Sequence, residues 1–192
     1  MDEGMNSGVA YNPKKGGASL LIKLHRFCWT IVNETLFRYS PFFCHGWRRF
    51  LLRCFGAKIA KTATVGRRAI INAPWNLTMG DSSMICNDAW VMCYAPVVIG
   101  DRSIVGEYAR ILTGSHVSNS KSYRPIISEI MIGNDCWIAS CAILASGGRR
   151  KLKIGDGAII GAGAVVLLNV KPLAIMVGNP AEQIAERQFN RT

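Results

Sequence analysis

From Ile59 to Val166 an apolar side chain returns every sixth position, often followed by Gly, Ala or Asp. Read in threes, the anchors are Ile59, Val65, Ile71; Met79, Ile85, Val91; Ile99, Val105, Ile111; Ile132, Ile138, Leu144; and Ile154, Ile160, Val166. A hexapeptide period is the mark of a parallel β-helix, in which each unit is one short strand and turn that cannot bury its apolar face alone. Three units make one triangular coil. Between the first three triplets the spacing is eight rather than six, so each coil takes a two-residue extension at one corner. The period predicts an all-β solenoid over residues 57–180.

Before the period, residues 18–56 mix aliphatic and aromatic side chains with Lys23, Arg26 and Arg38 and run on through Pro41 into His45-Gly46-Trp47-Arg48-Arg49-Phe50-Leu51-Leu52-Arg53. This pattern predicts two amphipathic helices separated near Ser40-Pro41, because Pro disfavours helix at the residue before it. Residues 1–17 are polar and Gly-rich and are expected to be flexible, and residues 181–192 are expected to form a short C-terminal helix and tail.

The chain has 192 residues and a formal charge of +11. Its length suits one domain plus an extension. No apolar run approaches the ~18–20 residues of a membrane span, and no apolar segment with a cleavage site follows Lys14 and Lys15, so the sequence predicts neither an integral membrane protein nor a secretory signal. The expected location is cytoplasmic. Seven cysteines without any C-x-x-C spacing predict neither a zinc site nor a disulfide framework, but reduced, mostly buried thiols.

The positive charge is concentrated at one end. Residues 1–68 hold twelve Lys and Arg against Asp2, Glu3 and Glu34. A basic helix with Trp, Phe and Leu on its other face can lie in a membrane interface, where anionic lipid adds to apolar burial. The same helices could instead cap the open end of the solenoid. Both readings stay open, and they are compatible on different faces. No nucleic-acid motif accompanies the basicity, and nucleic acid is not expected as a partner.

The repeat breaks once on a large scale. From Ile111 to Ile132 the spacing is 21, so Thr113-Gly114-Ser115-His116 leads into an extruded loop over 117–129. Insertions in a solenoid project from one face and commonly form the binding face. His116 stands at the root of this loop, while His25 and His45 lie in the arm, so it is the sole imidazole on the repeat scaffold. Imidazole is the side chain best suited to take a proton near neutral pH.

Several segments together resemble the hexapeptide-repeat acyltransferases, in the branch of maltose, galactoside and colanic acid biosynthesis O-acetyltransferases. They are the arm motif from His45 to Arg53 with Phe55-Gly56-Ala57-Lys58-Ile59, then Pro74-Trp75-Asn76-Leu77, Thr113-Gly114-Ser115-His116, Trp137-Ile138-Ala139 and Val177-Gly178-Asn179-Pro180-Ala181. The resemblance covers about residues 20–187 and implies a left-handed winding, against the usual right-handed crossover. It implies a homotrimer, with acetyl-CoA between neighbouring subunits and a saccharide acceptor near the extruded loop.

On that resemblance His116 is the general base of a direct transfer, with no acyl-enzyme and no metal. Asn87 and Asp88 are acceptor-binding candidates, although Asn-Asp is also common at turns. The implied cofactor-binding positions are Trp137, Ala139, Ser140, Gly163, Ala164, Gly178, Asn179 and Pro180, with the Ala139 and Ser140 amides aimed at the thioester or pantetheine. Where relatives carry a cation after Asn-Pro-Ala this chain has Glu182, so Arg187 or Arg191 is the substitute for meeting CoA phosphates. The stretch Ser146-Gly147-Gly148-Arg149-Arg150-Lys151-Leu152-Lys153 lengthens another corner and is either a phosphate contact or a solvated turn. The leading expectation is O-acetylation of a sugar hydroxyl in exopolysaccharide or capsule precursor biosynthesis. An N-acetyltransferase of an amino sugar, a small-molecule acetyltransferase and a non-catalytic scaffold are the alternatives.

Overall fold

Three columns of stacked apolar side chains run through the molecule, and they are the three anchor sets of the period. The computed structural model describes residues 9–10, 20–117, 123–147 and 151–188. On the first face Ile59, Met79, Ile99, Ile132 and Ile154 lie in parallel register. The second face stacks Val65, Ile85, Val105, Ile138 and Ile160, and the third Ile71, Val91, Ile111, Leu144 and Val166. Every one of these side chains is at most 7% exposed. The architecture is the left-handed parallel β-helix with an N-terminal helical extension that the sequence predicts.

The corners differ in kind. Ser82, Arg102, Asp135, Gly157 and Leu173 turn the chain from the first face to the second, and Arg68, Asp88, Tyr108, Cys141 and Gly163 from the second to the third; all have φ between 55° and 70°. These tight turns leave no room for insertion. The corner from the third face back to the first takes all the irregular spacings instead: the turn Pro74–Asn76, the segment 93–96, the extruded segment after Ile111 and the stretch after Ser146.

Parallel pairing between coils satisfies the strand backbone of the inner coils, so the open strand edges arise at the ends. At the N-terminal end they are met by the arm, which forms α1 (Leu20–Val32, running on as a π-helical turn, Asn33–Phe37) and α2 (His45–Cys54). Buried Leu51 and Leu52 seat α2 on the first coil. Its three arginines turn inward as well: Arg48 donates to the Val65 carbonyl at 2.6 Å, Arg49 to Ala63 at 2.8 Å and Arg53 to Ile59 at 2.6 and 3.0 Å. The arm motif is therefore a cap. Trp29 of α1 adds an indole hydrogen bond to the Ile71 carbonyl at 2.7 Å.

Two expectations are corrected. The expected C-terminal helix is a strand, Glu182–Glu186, antiparallel to Ala174–Val177. A helix there would leave the last strand of the second face with an open edge, and pairing overrides the local preference of Glu-Gln-Ile-Ala-Glu. In the expected flexible N-terminus, Val9–Ala10 is a strand paired with Ile126 and Ile127; the rest of residues 1–17 lies outside the described residues.

Candidate functional site

The extruded segment is a hairpin rather than a loop. Gly114–His116 pairs antiparallel with Pro125–Ile127, His116 opposite Pro125, and Val9–Ala10 extends the sheet on the far side. Its root is clamped by three buried hydroxyl residues, Thr113, Ser128 and Ser146. Thr113 Oγ1 donates to the Met92 carbonyl at 2.6 Å and accepts the Ala95 amide at 3.2 Å, strapping the root to the coil before. The Ser128 amide donates to the Thr113 carbonyl at 2.9 Å. Ser146 Oγ donates to the Thr113 and Ser128 carbonyls at 3.4 and 3.3 Å. The His116 imidazole is exposed and has no hydrogen-bond partner among the described residues. A fixed backbone thus presents an uncommitted ring.

The remaining candidates gather along one edge, the corner between the second and third faces. Asn87 and Asp88 occupy it in the second coil, Ala139 and Ser140 in the fourth, Gly163 and Ala164 in the fifth, and Gly178, Asn179 and Pro180 continue it. Direct bonds tie these turns together: Gly163 N donates to Ser140 O at 3.0 Å, and Val165 N to Gly178 O at 2.9 Å. Trp137, half exposed, stands on the second face just before this edge. Gly163 has φ 69° and open space where a Cβ would point, so the backbone is directly approachable there. Of the two amides, that of Ala139 is spent on the Ile160 carbonyl at 2.8 Å, which removes it as a thioester donor. The Ser140 amide has no acceptor among the described residues.

Asp88 is already engaged. Arg68 donates to its two carboxylate oxygens at 2.8 and 2.7 Å. These hydrogen bonds hold the Asp88 carboxyl below the usual carboxylate range. Sequence reasoning missed Arg68, although the signal was present: early coils are twenty residues long, which sets residue 68 directly before 88 in the stack. It also missed the hydroxyl clamp, for which Thr113 beside Gly114-Ser115-His116 was the only hint.

Two groups stand elsewhere. His116 projects from the third corner, so the third face, about 10 Å wide for its three-residue strands, separates it from the edge that holds the other candidates. Arg187 lies at the corner between the first and second faces, where it donates to the Asp135 carbonyl at 2.7 Å and the Gly157 carbonyl at 3.3 Å. The structure does not bring it to the other cofactor candidates. Arg191 and residues 148–150 of the basic stretch lie outside the described residues, and Lys151 pairs with Glu129 at 2.9 Å.

The thiols depart from expectation in their burial. All seven are free, but only Cys93 and Cys136 are buried, while Cys28, Cys54 and Cys141 are exposed. Burial pushes the Cys93 thiol up to about 11. Among the described residues no cluster of three or more His, Cys, Asp or Glu is placed to hold a metal ion.

No protein-family model matches the chain. It is 34% identical over 173 residues, 90% of its own length and 91% of the relative's, to the Escherichia coli K12 protein named as colanic acid biosynthesis acetyltransferase WcaF. Among solved structures, a maltose O-acetyltransferase from Clostridium difficile 630 superposes with a TM-score of 0.80 at 25% identity, covering 95% of each chain. A hexapeptide-repeat-containing acetyltransferase from Vibrio cholerae O1 biovar eltor, solved with acetyl coenzyme A, gives 0.79 at 22% identity over 96% of this chain and 97% of that one. With its hexapeptide columns, its extruded hairpin and a relative matched over nearly the whole length, the chain belongs to the hexapeptide-repeat acetyltransferases.

Proposed function

We propose that this protein transfers the acetyl group of acetyl-CoA to a sugar hydroxyl of a polysaccharide precursor, as a homotrimer whose active sites lie between subunits. The observation that carries the reading is the separation of His116 from the edge formed by Asn87, Asp88, Ser140, Gly163 and Gly178. One chain alone holds the two halves apart, and a second copy set beside that edge closes them into one site. The second face supplies an apolar surface for such a contact: Met84, Ile104, Trp137, Ile159 and Ile175 point outward in register, with Met84, Ile104 and Trp137 well exposed. A head-to-tail contact of this kind closes into a ring when the rotation fits.

In this site the neutral His116 imidazole takes the proton of the acceptor hydroxyl as its oxygen attacks the thioester carbonyl. The C–O bond forms, the C–S bond breaks, and the imidazolium returns the proton to the departing thiolate. The free Ser140 amide is a donor suited to the carbonyl oxygen as it gains charge. Asn87 and the Arg68–Asp88 pair offer hydrogen bonds to a polyol. The resemblance to the colanic acid protein supports the choice of a polysaccharide precursor.

The test is thiol release from acetyl-CoA by the purified protein across mono- and oligosaccharide acceptors, each amino sugar paired with its hydroxyl analogue. Release that depends on a hydroxyl acceptor, and that falls by about 10²–10⁴-fold in His116→Ala with acetyl-CoA affinity unchanged, is expected. Release only with amino sugars would make it an N-acetyltransferase. Turnover unaffected by His116→Ala would remove the imidazole from the mechanism.

A further inference from the structure

Helix α1 carries four of its apolar residues on the wrong side for a helix that only caps. Trp29 is buried against the solenoid. Leu20, Leu24, Phe27 and Ile31, spaced four, three and four residues apart, form one stripe on the opposite side. They are 80%, 54%, 62% and 49% exposed. Further exposed aromatic residues follow in the chain. Phe42 and Phe43, edge to face at 5.3 Å, are exposed in the turn between α1 and α2. Trp47 and Phe50, stacked at 5.7 Å, are exposed on the outer side of α2. An exposed apolar stripe with two exposed aromatic pairs in the segment that follows it marks an interaction site rather than ordinary scatter.

Charge selects the partner. Residues 20–68 hold ten Lys and Arg against Glu34 alone. Lys23, exposed, borders the stripe beside Leu24 and Phe27, and Arg26, also exposed, lies on the flank towards Trp75. Arg48, Arg49 and Arg53 turn inward and Arg68 pairs with Asp88, but Lys23 and Arg26 stay exposed along the helix, so meeting a second copy through this surface would oppose two cationic ends. Among the described residues no helix is long and apolar enough to cross a membrane. Aromatic and aliphatic residues on the outer side of a helix, in a cationic setting, fit the shallow apolar and anionic boundary of a lipid headgroup layer.

We infer that the outer face of α1, with Phe42, Phe43, Trp47 and Phe50, docks this protein on an anionic phospholipid bilayer. The solenoid cap and the membrane anchor are then two sides of the same arm: Trp29 and the inward arginines hold it to the first coil, and the opposite side is left for lipid. The inference stands apart from the acetyl-transfer reading, since it uses none of that site's residues.

The experiment is co-sedimentation of the full chain with vesicles of phosphatidylcholine alone and of an equimolar mixture with phosphatidylglycerol, at low and high salt. The variant is the pair Leu24→Glu and Phe27→Glu, whose exposed positions leave the fold intact, checked by circular dichroism. Binding to the anionic vesicles, weakened by salt and at least about tenfold lower in the variant, is expected. No binding to anionic vesicles at low salt overturns the inference, and so does binding that the variant leaves unchanged. If the variant instead splits an oligomer of the wild-type protein, the stripe belongs to a second copy and the inference also fails. Thiol release with a soluble acceptor, read on the same preparations, reports the catalytic reading independently.

Discussion

Arg68 and Asp88 occupy the same left-handed corner in consecutive coils and are joined by two parallel hydrogen bonds of 2.8 and 2.7 Å. A carboxylate fixed this way is an organised feature of the edge, holding the Asn87-Asp88 turn in one orientation. It also links stability to pH. The carboxyl is held below its ordinary value, so its contribution is fully present above the unfolded value of about 3.9 and is lost as pH falls through the lower folded one.

Asp88→Asn should therefore lower stability by about 0.5–1 kcal/mol at neutral pH, the modest range of a partly exposed ion pair. The difference from wild type should shrink as the pH is taken below about 4. Urea unfolding at a series of pH values checks this. A difference that stays constant into acid would mean that the pair does not carry the effect.

Arg48 should be the most sensitive position of the cap. It is fully buried, and besides the Val65 carbonyl it donates to Ser40 Oγ at 2.8 Å, the Pro41 and Phe42 carbonyls at 2.8 Å each, and His45 Nδ1 at 3.0 Å. All five guanidinium donors are used. Arg48→Met takes this donor from the buried Val65 carbonyl and Ser40 Oγ and should cost about 3 kcal/mol or more. Arg48→Lys should recover only part of the loss, since an ammonium has three donors and no fork. Denaturant midpoints for both variants decide the matter.

Much of the fold was legible because each coil repeats one physical problem. A six-residue unit buries one anchor, and the partner of that anchor is the same position of the next coil, so the column Val65, Ile85, Val105 could be read from spacing alone. The arm was legible only in part. Arg48, Arg49 and Arg53 read as the polar side of an amphipathic helix, and nothing local shows that the carbonyls of Val65, Ala63 and Ile59 lack a preceding coil and draw those arginines inward.

The hairpin root gives a test of positioning. Thr113→Val removes a buried hydroxyl that bonds both Met92 and Ala95 and should destabilise the protein by about 1–3 kcal/mol. Because the hairpin carries His116 three residues on, acetyl-transfer turnover should fall by up to about 10²-fold, with acetyl-CoA affinity near wild type. Thr113→Ser, which keeps the hydroxyl, should restore most of the rate. A Ser variant as slow as the Val variant would show that the hydroxyl alone does not hold the root, and a Val variant as fast as wild type would remove the hydroxyl from the positioning of His116.

Thiol reactivity provides a check of the burial pattern. In the native state Cys28, Cys54 and Cys141 should react rapidly with a chromogenic disulfide, while Cys93 and Cys136 should be protected until unfolding. For Cys93, burial raises the thiol to about 11 and so keeps the reactive thiolate scarce. Mass mapping of the labelled sites identifies the reactive set, and early labelling at Cys93 would contradict the stacked core around it.

By itself the sequence determined the period, and with it the three columns, the tight corners and the one place where the chain leaves the solenoid at His116. Those features follow from local spacing, because each apolar anchor must meet its counterpart one coil away. Only the tertiary structure decided what depends on edges and ends. It turned the arginines of α2 into a cap, made residues 182–186 a closing strand, joined Arg68 to Asp88 and placed His116 and the Ser140 edge on opposite sides of the third face. These outcomes depend on which backbone groups remain unpaired once the coils have stacked, and that is a property of the assembled chain rather than of any segment in it.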